Sequence, residues 1–186
     1  MRRRCSIANV DDHPANRRID RIRDPAFLQA LHELPLDQLR ERRDDCLAER
    51  EYLSLLRRLL QGRAEILRAE LDGRAAGEDR SALIDRLTTI LTDDDHPVTS
   101  RGEAVRVVVP DEEMLLARRR VERLASDVGI SDPTILDDGA LGDAIERLAI
   151  EEHNVSDARL QVIGILDTLQ DELKRRYKDD PTLALS

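Results

Sequence analysis

From Leu36 to Leu71 apolar residues recur every three or four positions, and the only helix breaker among them is Gly62. Such a stretch of some 36 residues predicts one helix of roughly 54 Å at about 1.5 Å per residue, ended by Asp72-Gly73. The same pattern returns from about residue 137 to 178. Shorter amphipathic helices are expected at 25–34, 81–91 and 111–128. The first has Asp24 as N-cap and Pro25 at the first helical position, with Phe27, Leu28, Leu31 and Leu34 on one face. That face suits either its own bundle or a partner's groove. Val105–Val109, ended by Pro110, reads as a short strand or an extended arm; a single strand has nothing to pair with. Residues 1–23 are Arg-rich without periodicity and read as a disordered tail, and 179–186 as a short polar one. The expectation is all-α: one helical domain over 24–178, built as an antiparallel coiled coil of two long helices with short connecting helices.

The two long segments are copies. A shift of 102 residues matches Leu39 with Leu141, Glu49 with Glu151, Ser54 with Ser156, Arg57 with Arg159, Gly62 with Gly164, Glu70 with Glu172 and Leu71 with Leu173. Apolar positions coincide too: Cys46 with Leu148, Leu53 with Val155, Leu56 with Ala158, Leu60 with Val162, Leu67 with Leu169. Two such helices most simply lie antiparallel and bury these stripes on each other. A second stripe, Tyr52, Leu55, Leu59 and Ile66, faces elsewhere and suits either the middle helices or a partner.

Composition narrows the function. The chain has 30 Lys+Arg against 39 Asp+Glu, a net charge of −9. This excess disfavours direct DNA binding, which depends on neutralising phosphates, and suits a basic protein partner. Only Lys174 and Lys178 are lysines, so nearly all the cations are planar, bidentate guanidiniums. One Phe, two Tyr and no Trp argue against an aromatic-rich β core. No apolar run approaches the roughly 18 residues of a membrane span, and MRRRCSIANVDD lacks a signal peptide's apolar core; no membrane association and a cytoplasmic location are expected. Cys5 and Cys46 form neither a disulfide framework nor a zinc spacing. Asp93-Asp94-Asp95-His96 reads as a solvated acidic turn, and His153 as a surface histidine. With no phosphate loop, nucleophile elbow or metal-ligand pair, neither an enzyme nor a metal site is expected.

The repeat carries a polar set that a packing seam does not require. On the second long helix it is Glu152, Ser156, Arg159 and Asp167; on the first, Ser54, Arg57, Gln61 and Glu65. At about 100° per residue these positions fall within about 80° of helix surface and form a ribbon about 22 Å long beside the seam. One reading is the charged flank of a structural or scaffolding coiled coil with no nucleotide ligand. The other is recognition: arginine donates to guanine O6 and N7, a carboxylate accepts from guanine N1–H and N2–H, and Ser or Gln reaches phosphate or sugar. On two antiparallel helices the set makes a pseudo-two-fold site, matched by a two-fold guanine nucleotide.

These residues resemble the actinobacterial anti-sigma factors armed by cyclic di-GMP, the RsiG family, also labelled aerial-mycelium-formation proteins. Their signature is Glu-x3-Ser-x2-Arg-x3-Gln-x3-Asp, once on each long helix. The second copy reads Glu152, Ser156, Arg159, Ile163 and Asp167, with Ile163 in place of Gln. The first reads Arg50, Ser54, Arg57, Gln61 and Glu65, with Arg50 in place of Glu and Glu65 for Asp. LRRLLQGRAEILRAEL, VPDEE, SDPTILDDGAL and KRRYKDD extend the likeness over most of residues 25–180. The resemblance implies that the helix pair binds a dimer of cyclic di-GMP and, so loaded, holds a flagellar-class sporulation sigma factor away from RNA polymerase, without catalysis. The nucleotide would be clasped between the two proteins.

Overall fold

The computed structural model of the chain describes residues 14–77, 109–127 and 135–184. Among these the regular structure is helical: α1 (Pro14–Arg23), α2 (Leu36–Ala76), α3 (Asp111–Asp127) and α4 (Asp138–Asp179), with 3-10 turns at Pro25–Leu28, Leu31–Glu33 and Pro181–Ala184. The two long helices α2 and α4 pack together, with a shorter helix between them in the chain. The expected helix at 81–91, most of the Val105–Val109 run, Asp93–His96 and Cys5 lie outside the described residues.

The seam follows from a seven-residue repeat. Leu39, Cys46, Leu53, Leu60 and Leu67 on α2, and their counterparts Leu141, Leu148, Val155, Val162 and Leu169 on α4, are all buried. A side chain every seven residues returns to nearly the same helix face, which is the geometry of a coiled-coil core. Contacts divide the chain into two compact units, through both of which α2 and α4 run: Arg50–Leu160, and Met1–Glu49 with Gln161–Ser186.

In the Arg50–Leu160 unit the helices are antiparallel. Arg74, near the end of α2, donates to Leu136 O at 2.6 Å and Asp138 at 3.2 Å, at the start of α4, while Arg57, four to five turns earlier, meets Glu152. α2 does not stop at Asp72-Gly73. Gly73 is buried within the helix, Arg74 closes an i,i+4 pair with Glu70 at 2.8 Å, and the chain leaves the helix only at Gly77, in the left-handed region at φ 64°. Asp137 caps α4 by accepting from Ala140 N–H at 2.7 Å. α3 opens on Asp111, Glu112 and Glu113, which favour a helix N-terminus, and buries Ala117 and Val121. Leu55, Leu59, Ile66 and Val121 line a groove of about 490 Å³, and Tyr52 is buried. The second apolar stripe of α2 thus faces α3.

The other unit corrects two expectations. Residues 14–23 are not a disordered tail but helix α1. Ile19 and Ile22, three residues apart, are buried on one face, and Arg18 reaches the buried Glu49 at 2.6 Å, so burial outweighs the polar composition. The segment 25–34 is not an α-helix but two 3-10 turns broken at Ala30, φ 52°. Asp24 does cap it, accepting from Ala26 N–H at 2.8 Å. Its carbonyls, which a helix would use internally, are taken by arginines of other elements: Arg42 donates to Phe27 O, and Arg176 donates to both Leu31 O and Leu34 O at 2.6 Å. Phe27 is buried, with the Arg42 guanidinium 5.3 Å from its ring centre. Of the expected apolar face Phe27 packs within the protein's own bundle, and Leu28, Leu31 and Leu34 are partly covered.

Candidate functional site

The polar ribbon of the Arg50–Leu160 unit closes into one hydrogen-bonded cluster across the seam. Glu152 Oε1 accepts from Arg57 Nε at 2.7 Å, Gln61 Nε2 at 3.1 Å and Ser156 Oγ at 3.0 Å. Two donors come from α2 and the third from one turn along α4, because positions four apart share a helix face. The Arg57 guanidinium holds the Glu152 carboxyl below its ordinary range, helped by Ser156 and opposed by burial. On the adjacent turns Arg159 Nε donates to Ser54 Oγ at 2.8 Å, and Ser54 Oγ donates to the carbonyl of Arg50 at 2.7 Å.

These two groups are the same arrangement seen from opposite ends, with two differences. In the 102-residue repeat Ser54 and Arg159 correspond to Ser156 and Arg57, and Arg50 stands where Glu152 stands. With no carboxylate at 50 to collect donors, Arg159 falls back on the serine hydroxyl. Arg50 binds Glu51 through Nη2 at 2.6 Å and Nε at 3.0 Å. The Gln61–Glu152 bond likewise has as its repeat equivalents Ile163 and Arg50, which offer neither amide donor nor carboxylate acceptor.

Of the residues singled out from the sequence, Ser54, Arg57, Gln61, Glu152, Ser156 and Arg159 are thus joined by hydrogen bonds. Glu65 is exposed on the same unit and outside the cluster. Ile163 and Asp167 lie in the other unit, Ile163 partly covered and Asp167 exposed. The cluster's side chains are partly solvent-accessible, Arg57 at 42% and Glu152 at 24%, so a ligand can reach them without opening the core.

Two braces beside the ribbon escaped the sequence reading. Glu49 and Glu151, equivalent in the repeat, each receive an arginine from a short flanking helix: Arg18 of α1 at 2.6 Å and Arg120 of α3 at 2.7 Å. Tyr52 also hydrogen-bonds Arg120. The signal was present, because the same 102-residue shift continues through Ala15/Ala117, Arg17/Arg119, Arg18/Arg120, Ile19/Val121, Asp20/Glu122, Arg21/Arg123 and Ile22/Leu124. The duplicated unit is a short helix and a long one, not the long helix alone. Among the described residues no group of side chains is arranged to hold a metal ion, and no helix is long and apolar enough to cross a membrane.

The RsiG-like family model matches residues 25–91, about a third of the chain. The match takes in all of α2, with Arg50, Ser54, Arg57, Gln61 and Glu65, and stops short of α4. No curated protein matches the chain.

Proposed function

With the first copy of the ribbon inside the RsiG-like match, we propose that this protein is an anti-sigma factor loaded by cyclic di-GMP, sequestering a flagellar-class sporulation sigma factor. The observation that carries the reading is the Arg57, Gln61 and Ser156 cluster on Glu152, with Arg159 and Ser54 on the adjacent turns. It holds two guanidiniums and a carboxylate at a pseudo-two-fold site, the complement of the phosphates and base edges of a guanine nucleotide. Scarce aromatics add to it: the bases would stack on each other or on arginine, which favours a nucleotide dimer. The net charge of −9 suits a basic, DNA-binding partner. The site residues of this reading are Ser54, Arg57, Gln61, Glu65, Glu152, Ser156, Arg159 and Asp167, with Arg50 and Ile163 as the two departures. The nucleotide acts as a clamp if it binds the complex better than either free protein, and by linkage it then tightens the protein pair by the same factor.

The test is co-purification with the flagellar-class sigma factor of the same genome, with and without cyclic di-GMP. Wild type retains sigma only with the nucleotide. Arg57→Ala with Arg159→Ala loses nucleotide binding and nucleotide-dependent retention while keeping its helical circular dichroism. Unchanged calorimetric binding by that double variant would sink the site assignment. A scaffolding coiled coil is the second reading, favoured by the fact that Arg57 and Glu152 already satisfy each other as a flanking ion pair does. It predicts no guanine-nucleotide binding, alone or with sigma.

A further inference from the structure

We infer that the two halves of the ribbon recognise different parts of the nucleotide: the Glu152 half reads the guanine N1–H and N2–H edge, and the Arg50 half holds phosphate without reading that edge. The inference rests on the cyclic di-GMP reading above and concerns how that site divides its work.

The geometry behind it is the asymmetry of the cluster. Glu152 is held in place by three donors, all on Oε1, and among the described residues none of its hydrogen bonds uses Oε2. An ionised carboxylate in this state is oriented before a ligand arrives, and Oε2 has lone pairs for guanine N1–H and N2–H. Arg57 on its flank keeps it ionised. The equivalent turn has Arg50, Ser54 and Arg159. Guanidiniums and a hydroxyl donate to phosphate oxygens, and that set has no carboxylate to accept from guanine N1–H and N2–H together. The departure also makes the ribbon more positive than a carboxylate at 50 would, although Arg50 is itself paired with Glu51. The exposed carboxylates Glu65 and Asp167 occur in both copies and so do not distinguish the halves. Exposed, they are also poorer readers than a carboxylate fixed by three hydrogen bonds.

A base-reading group governs selectivity, whereas a phosphate-holding group governs affinity for every nucleotide of the same backbone. The probes are cyclic di-GMP and cyclic di-IMP; the second lacks the 2-amino group but keeps both phosphates, O6 and N7. Both are titrated by calorimetry into the full chain, alone and with the sigma factor, at two salt concentrations. Wild type is expected to prefer cyclic di-GMP by about tenfold or more, the worth of one good base-edge contact. Glu152→Gln, which keeps the side-chain size and one acceptor, should bring that ratio to within about threefold of one. Arg50→Gln should weaken both nucleotides alike, with a shallower salt dependence and an unchanged ratio. A Glu152→Gln variant that keeps the full ratio, or an Arg50→Gln variant that changes it, overturns the inference and leaves the parent reading standing. Wild type that binds neither nucleotide overturns both.

Discussion

Glu172 shows how a single carboxylate ties this chain together. It is buried yet surrounded by donors: Arg175 through two bonds at 2.8 and 2.9 Å, Arg176 at 2.9 Å, and His32 Nδ1 at 3.0 Å. The bonds from Arg175, then those from Arg176, outweigh burial and hold its carboxyl down at about 2. Because the folded value lies below the unfolded one, the group's full contribution is present above the ordinary glutamate range, near pH 4.5. It is lost as pH falls from there towards 2, an effect of about 2–3 kcal/mol. The unfolding midpoint in urea should drop across that window, and Glu172→Gln should flatten the drop. An unaltered acid profile in the variant would show that other carboxylates carry it. Cys46 is the opposite case: burial, with Asp45 and Glu49 nearby, pushes its thiol up to about 12. It is an inert part of the seam, not a reactive thiol.

At the scale of the helix, the seam and the exposed faces separate cleanly. Leu60 is fully buried and Leu160 is 62% exposed, although both are leucines on long helices. Leu60→Ala should cost about 2–5 kcal/mol by leaving a cavity, and Leu160→Ala no more than about 0.5 kcal/mol, as measured by chemical denaturation. Gly62 and Gly164 occupy equivalent positions inside α2 and α4, where a Cβ would meet nothing within 4 Å. Alanine at Gly62 should therefore stabilise the helix by about 0.5–1 kcal/mol. A loss of stability on that change would reveal a packing demand the helix pair itself does not make. The short elements behave differently, because their form depends on what other helices donate to them, as at 25–34 with Arg42 and Arg176.

For the whole molecule, the acid excess bears on the proposed encounter with a basic partner. If the partner is a basic sigma factor, raising ionic strength from about 0.05 to 0.5 M shortens the Debye length severalfold and should slow association by about tenfold. Stopped-flow measurement of the complex would check this, and a salt-independent rate would remove charge steering from the proposal. The sequence by itself determined the two long helices, their repeat, the seam and the polar ribbon, because heptad spacing and helical periodicity are local properties that fix which side chains share a face. It also contained the continuation of the repeat into α1 and α3, which Arg-rich composition hid in residues 14–23. Tertiary structure alone decided that α1 is helical, that 25–34 is two tight turns, and that α2 runs past Gly73. It decided too that Glu152 collects three donors while the Arg50 side chain turns to Glu51. Each of these depends on partners dozens of residues away, on burial that overrides propensity and arginines that capture carbonyls, and no local pattern encodes such partners.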